Sequence, residues 1–169
     1  MTDSPARKTA RANRVRLALA ATAVLLAALD LGLKIWAERA LADGSSVDLA
    51  LIDLRLAFNS GVAFSLGDSL PGGVVLGVAG LVIAGLVVFA WKAARTATAL
   101  VWTALAAVLA GAAGNLADRA VDGVVTDYLH TGWFPTFNLA DVFITVGAAV
   151  LVLASLRNTD SSDSTARPG

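Results

Sequence analysis

The chain has 169 residues, is 57% hydrophobic, and balances 13 basic against 13 acidic residues to a net charge of zero. A mean hydropathy of +0.72 lies outside the range of soluble domains and points to a polytopic membrane protein, while the neutral balance argues against a nucleic acid partner. The absence of cysteine excludes disulfides, thiolate nucleophiles and Cys-ligated metals, and the single histidine, His130, excludes a His-rich metal site.

Residues 1–14 are basic and lack apolar periodicity, which predicts a disordered terminus. A first membrane span follows from about Leu17 to Trp36 and carries Asp30 and Lys34 inside it. Their i, i+4 spacing puts the two charges on one helix face, where each neutralises the other in lipid. The basic start, the apolar run Leu17 to Leu29 and the triplet Ala40-Leu41-Ala42 also resemble a cleavable signal peptide. Asp30 and Lys34 interrupt that pattern where cleavage would be approached, so the segment reads as a retained span.

The next segment alternates as a strand does. Val47, Leu49 and Leu51 alternate with Asp48 and Ala50; Leu54, Leu56 and Phe58 then alternate with Arg55 and Ala57. The phase slips at Ile52-Asp53, as a bulge or tight turn requires. Asn59-Ser60-Gly61-Val62-Ala63-Phe64 reads as a turn, or as a loop that offers backbone donors to an extended peptide.

A second span runs from about Leu70 to Trp91 without charge, and a third from about Ala97 to Ala117. The third ends in Gly114-Asn115-Leu116-Ala117-Asp118-Arg119, with Asn115 and Arg119 one helical turn apart. Arg119 reads either as a substrate-binding cation or as the partner of Asp118. Gly111 and Gly114 make a small-residue surface for close helix approach. Residues 118–138 read as an outer loop or short helix with Trp133, Phe134, Pro135 and Phe137 as interfacial anchors or cleft walls, and His130 as an interfacial hydrogen bonder. A fourth span covers about Leu139 to Leu156, and residues 158–169 read as a disordered tail. The fold class is thus an α-helical polytopic membrane protein with four spans, a small extracytoplasmic β element and a 15–157 core.

Lys and Arg set the orientation. Arg7, Lys8, Arg11, Arg14 and Arg16 precede the first span, Lys92 and Arg95 join the second and third, and Arg157 and Arg167 follow the fourth. The opposite side holds Arg39, Arg55 and Arg119. The positive-inside rule makes both termini cytoplasmic and residues 38–69 and 118–138 external.

Asp127 and Asp141 are the costliest residues of this plan. Asp141 is followed by 15 uncharged residues, Val142 to Leu156, and a carboxylate at membrane depth costs about 2.5–3.5 kcal/mol on insertion scales. Two converging carboxyls do not both ionise easily, which leaves a base to activate water and an acid to protonate a leaving amine. Helix capping, with Asp141 early in the fourth span, or ion pairing explains them equally well from spacing alone, and a cation site less well. Asn138 is placed to hydrogen-bond the carboxyls or to cap that helix. A small transporter or proton-relay protein is the alternative function.

In order along residues 25–145, Asp30-x-x-x-Lys34, Asn59-x-Gly61-x-Ala63-Phe64, Gly114-Asn115-x-x-Asp118-Arg119, Val124-Val125-x-Asp127 and Phe137-Asn138-x-Ala140-Asp141 resemble the lipoprotein signal peptidases (signal peptidase II). Thr126-Asp127-Tyr128 departs from a Val-Asp-Phe-like stretch frequent in that family but keeps its β-branched and aromatic character. The resemblance implies a bacterial, multi-pass plasma membrane aspartic endopeptidase with its active site toward the outer face. It implies Asp127 and Asp141 as the catalytic pair, and Asn59, Gly61, Asn115, Arg119 and Asn138 as substrate-binding residues. Asp30, Lys34 and Asp118 would support the fold. The implied partners are lipidated prolipoproteins and membrane lipid, with cleavage before a diacylglyceryl-modified cysteine and with no metal or cofactor.

Overall fold

The computed structural model describes residues 5–60 and 71–164. The elements run α1 (Pro5–Ala40), β1 (Ser46–Asp48), β2 (Asp53–Asn59), α2 (Gly72–Ala93), α3 (Ala99–Asp122), β3 (Val125–His130) and α4 (Leu139–Ser164). Each of the four helices is long and apolar enough to cross a membrane, as the hydropathy predicts.

The helices outrun the predicted spans. Residues 5–14, expected to be disordered, belong to α1, and α4 continues past Arg157 to Ser164. At the start of α1, Ala, Arg and Lys are strong helix formers and Pro5 suits a first helical position, whereas the end of α4, rich in Ser, Asp and Asn, only continues a helix already nucleated. At the other boundaries local chemistry sets the ends: Thr98 Oγ1 accepts the Val101 N–H at the start of α3, and Gly123, at φ 91°, closes it in a left-handed conformation.

α3 is the central helix, packed on α1, α2 and α4. Its buried face includes Ala104, Ala106, Ala110, Gly111 and Gly114. Lipid gives helices no hydrophobic reason to associate, so small residues that let backbones approach carry the packing. A Cβ on Gly111 would overlap the Ala140 carbonyl oxygen and lie 2.8 Å from Ile144 Cγ1. Gly147 of α4 reciprocates, with Val108 Cγ2 2.7 Å from where its Cβ would sit. Gly111→Ala is therefore expected to push α4 away and cost about 1–3 kcal/mol. An unchanged melting temperature in detergent would refute the close crossing.

At one end of the bundle lies a three-stranded antiparallel sheet in the order β1-β2-β3. The phase slip at Ile52-Asp53 is the turn of the β1–β2 hairpin, in which Ala50 adopts φ 70°. A further irregularity lies inside β2, where Leu54 pairs Leu129 but Ala57 pairs Asp127, which leaves one extra residue on β2. The outer connection departs from the expected loop or short helix: Val125–His130 is a strand, and no short helix lies there among the described residues. Val125, Thr126, Asp127 and Tyr128 are all buried, because β3 is clasped between β2 and the helix ends. Buried on both faces, the strand shows no alternation from which to recognise it.

Candidate active site

Asn138 precedes the first residue of α4 and is fully buried. Its Oδ1 accepts the Asp141 N–H at 3.0 Å, and its own N–H donates to Asp141 Oδ2 at 3.3 Å. This reciprocal pair is a capping box with aspartate in the place of glutamate. The Asn138 side chain also reaches across to β3, where its Nδ2 donates to Asp127 Oδ1 at 2.7 Å. One amide thus touches both carboxyl-bearing residues, one from β3 and one from α4. The capping and paired-carboxyl readings of Asp141 turn out to be compatible.

The other oxygen of Asp141, Oδ1, accepts from Asn115 Nδ2 at 2.9 Å. The Asn115 carbonyl oxygen accepts in turn from Lys34 Nζ at 2.7 Å, which settles the orientation of the amide. Lys34 is 1% exposed and also pairs with Asp30 Oδ2 at 3.1 Å and Asp118 Oδ2 at 3.2 Å. Asp30 Oδ1 accepts the Ala140 N–H at 2.9 Å, so α1 grips the first turn of α4 beside Asp141. Gly114 makes room for this contact, since a Cβ there would come within 2.7 Å of Asp30 Oδ2. The predicted Asp30–Lys34 pair exists, but it belongs to a buried network linking α1, α3 and α4.

Asp127 is 2% exposed. Burial pushes its carboxyl up to about 6, a hydrogen bond from the Asn59 side chain works against that rise, and the negative charge of Asp141 adds to it. Asp127 and Asp141 are therefore electrostatic neighbours, with a proton held on Asp127 to higher pH than an ordinary aspartate holds one.

Residues 22–157 match the family described as signal peptidase (SPase) II. The chain is 36% identical over 156 residues to a lipoprotein signal peptidase of Mycobacterium leprae, covering 88% of this chain and 75% of that one. It is 39% identical over 151 residues to one of Mesorhizobium japonicum, covering 83% and 86%. A solved bacterial membrane enzyme superposes with a TM-score of 0.69 at 26% identity, over 83% of this chain and 91% of that one. The chain belongs to the signal peptidase II family. It is accordingly a protease and a multi-pass bacterial membrane protein.

Beside Asp141 this signal peptidase II family member has a pocket of about 570 Å³. Asn59, Phe134, Phe137, Val142 and Val146 are among its walls, and Phe134 and Phe137 meet edge to face at 6.0 Å. The aromatics between the two aspartates thus line a cleft. His130 Nδ1 lies 3.4 Å from both Arg55 Nη2 and Thr136 Oγ1, on the outer edge of the sheet.

Arg119 does not depend on Asp118, which holds Lys34 and accepts the Thr126 N–H at 2.8 Å. Arg119 Nη2 donates instead to the Asn59 carbonyl at 3.5 Å, which brings Asn59 and Arg119 together at the rim. Gly61, with the rest of the predicted turn through Phe64, lies outside the described residues. Asn138 and Asn115 sit behind the carboxyls, gripping them, while Asn59 lines the pocket.

Sequence patterns alone do not single out one further residue beside the carboxyl pair. Glu38 Oε1 accepts from Thr126 Oγ1 at 2.6 Å, which ties α1 to the strand residue next to Asp127. Its spacing is the available signal, because Asp30, Lys34 and Glu38 recur every four residues on one face of α1.

Proposed function

We propose that this protein removes signal peptides from prolipoproteins by aspartic hydrolysis, cutting before a diacylglyceryl-modified cysteine, with Asp127 and Asp141 as the acid–base pair. Signal peptide removal follows from membership of the family and from its lipoprotein signal peptidase relatives. The observation that carries the carboxyl assignment is the Asn138 amide, which joins Asp127 and Asp141 at the edge of an apolar pocket.

Asp141, the more exposed of the two, takes a proton from a water molecule whose oxygen attacks the scissile carbonyl carbon. Asp127, which keeps its proton to about pH 6, passes it to the departing nitrogen as the C–N bond breaks. A carboxylate on the signal peptide and a free amine on the lipidated cysteine result. Asn115 and Asn138 position the pair, while Asn59, Gly61 and Arg119 hold the precursor backbone. The apolar walls around Phe134, Phe137 and Val146 receive the acyl chains. Because the precursor is itself anchored in the bilayer, its encounter with the site is confined to the membrane and its effective concentration is high.

The cationic residues support the orientation. Arg7, Lys8, Arg11, Arg14 and Arg16 on α1, with Lys92 and Arg95 at the α2–α3 connection, lie at the end of the bundle opposite the carboxyls. Both termini are then cytoplasmic, with the site facing outward. A transport function finds no support in this placement, since the carboxyls lie at one end of the bundle and not at mid-depth.

The test is the pH profile of processing of a lipidated precursor in detergent or vesicles. Because the Asp127 carboxyl is raised, its proton is present below about pH 6 and lost above it. If it acts as the acid, kcat/KM falls toward tenfold per pH unit on the alkaline limb, with an apparent pKa that belongs to the pair. A flat profile from pH 6 to 8 would remove Asp127 from that role.

A further inference from the structure

At the far end of the bundle from the carboxyl pair, two cavities share a wall residue. One is a groove of about 820 Å³ whose walls include Arg7, Lys8, Arg11, Arg16 and Arg95. Among the described residues none of these five pairs with an acidic group, since both ion pairs of the described structure involve Lys34. Arg11 is held in place by donating to the Arg95 and Ala97 carbonyls at 3.2 Å. The other cavity is a cleft of about 370 Å³ between α1 and α2, both of which pack on α3. Leu19, Ala23, Ala27, Ile83, Val87 and Ala113 are among its walls.

Arg16 belongs to both cavities. It donates to the Trp91 carbonyl at 3.2 Å, and its guanidinium carbon stands 4.0 Å above the Trp91 ring centroid. A cation and an interfacial aromatic therefore mark the point where the basic groove turns into apolar cleft. From Arg16 to Ala27 the helix rises about 16 Å, close to one leaflet of a hydrocarbon core about 30 Å thick. The basic stretch from Arg7 to Arg16 lies outside the matched family region, 22–157.

We propose that this paired groove and cleft bind one anionic glycerophospholipid, its phosphate among Arg7, Lys8, Arg11, Arg16 and Arg95 and an acyl chain along the α1–α2 cleft. Charge complementarity selects the headgroup, and Arg16, common to the walls of both cavities, sets a charged end beside a long apolar one. The site is separate from the substrate pocket, and its occupant is a resident lipid of the leaflet at the basic end.

Native mass spectrometry of the full chain, loaded with phosphatidylglycerol or with phosphatidylcholine of the same acyl chains, tests the proposal. Wild type should retain phosphatidylglycerol in preference, and the combined Arg7→Gln, Lys8→Gln, Arg95→Gln variant should lose that preference by roughly a hundredfold, at about fivefold per cation. Combined Arg14→Gln and Lys92→Gln, which removes cations outside the groove, should keep it. Ala23→Phe, which fills the cleft, should weaken retention while leaving every cation in place. Equal retention of both lipids by wild type overturns the proposal, as does an equal loss on removing cations inside or outside the groove. Unchanged retention in Ala23→Phe removes the acyl seat, and displacement by glycerol 3-phosphate at concentrations matching the lipid would make the site one for soluble phosphate.

Discussion

Asp127→Asn and Asp141→Asn should each lower cleavage of a lipidated precursor by about a thousandfold or more while leaving the protein folded and inserted. General acid–base groups contribute about 10²–10⁴-fold each, and a pair acting on one bond loses most of its effect when either member is removed. The Asp127→Asn protein keeps an oxygen able to accept the Asn138 amide hydrogen bond and sheds a buried carboxyl, so its melting temperature should hold or rise. Asp141→Asn keeps an oxygen for one of the two donors, Asn115 and the Asn138 N–H, and loses a negative charge at the start of α4, worth about 0.3–1 kcal/mol. Activity and stability therefore separate, which distinguishes chemistry from capping. Processing within tenfold of wild type by either variant, at matched membrane levels, would end the carboxyl assignment.

Lys34→Met should be the most destabilising single change in the bundle. Lys34 and Asp30 are almost wholly buried, and one ammonium serves Asp30, Asp118 and the Asn115 carbonyl. Removing one member of a buried ion pair strands the other charge, at a cost of about 3–5 kcal/mol. Chemical unfolding in mixed micelles should show that loss. Adding Asp30→Asn to Lys34→Met should recover part of it, because the stranded charge goes with it and a carbonyl oxygen remains for the Ala140 N–H. Activity should fall as well, since the Asn115 amide loses the partner that turns it toward Asp141. A Lys34→Met protein as stable as wild type would show that the network is ornamental.

These outcomes depend on contacts of two kinds, which are unequally legible in the sequence. The four helices follow from runs of apolar residues, the β1–β2 hairpin from alternation and its slip at Ile52-Asp53, and the Asp30–Lys34 pair from four-residue spacing. Polarity misleads at the basic start of α1, because it speaks only against burial and not against a helix made of Ala, Arg and Lys. β3 escapes pattern because a strand covered on both faces carries no alternating signal, and its partner β2 lies across the whole of α2 and α3.

Local patterning thus determined which four segments are long and apolar enough to cross a bilayer, which charges neutralise each other on one helix, and that Asp127 and Asp141 lie toward the same side. Only the packed chain decided that Asn138 joins them, that Asn115 faces Lys34 across 81 positions, and that Asp30 holds the Ala140 N–H across 110. The physical reason is range. Periodicity records which face of an element is apolar, whereas a hydrogen bond between distant segments exists only once close helix crossings, such as that at Gly111, and the bulge in β2 have set the distances.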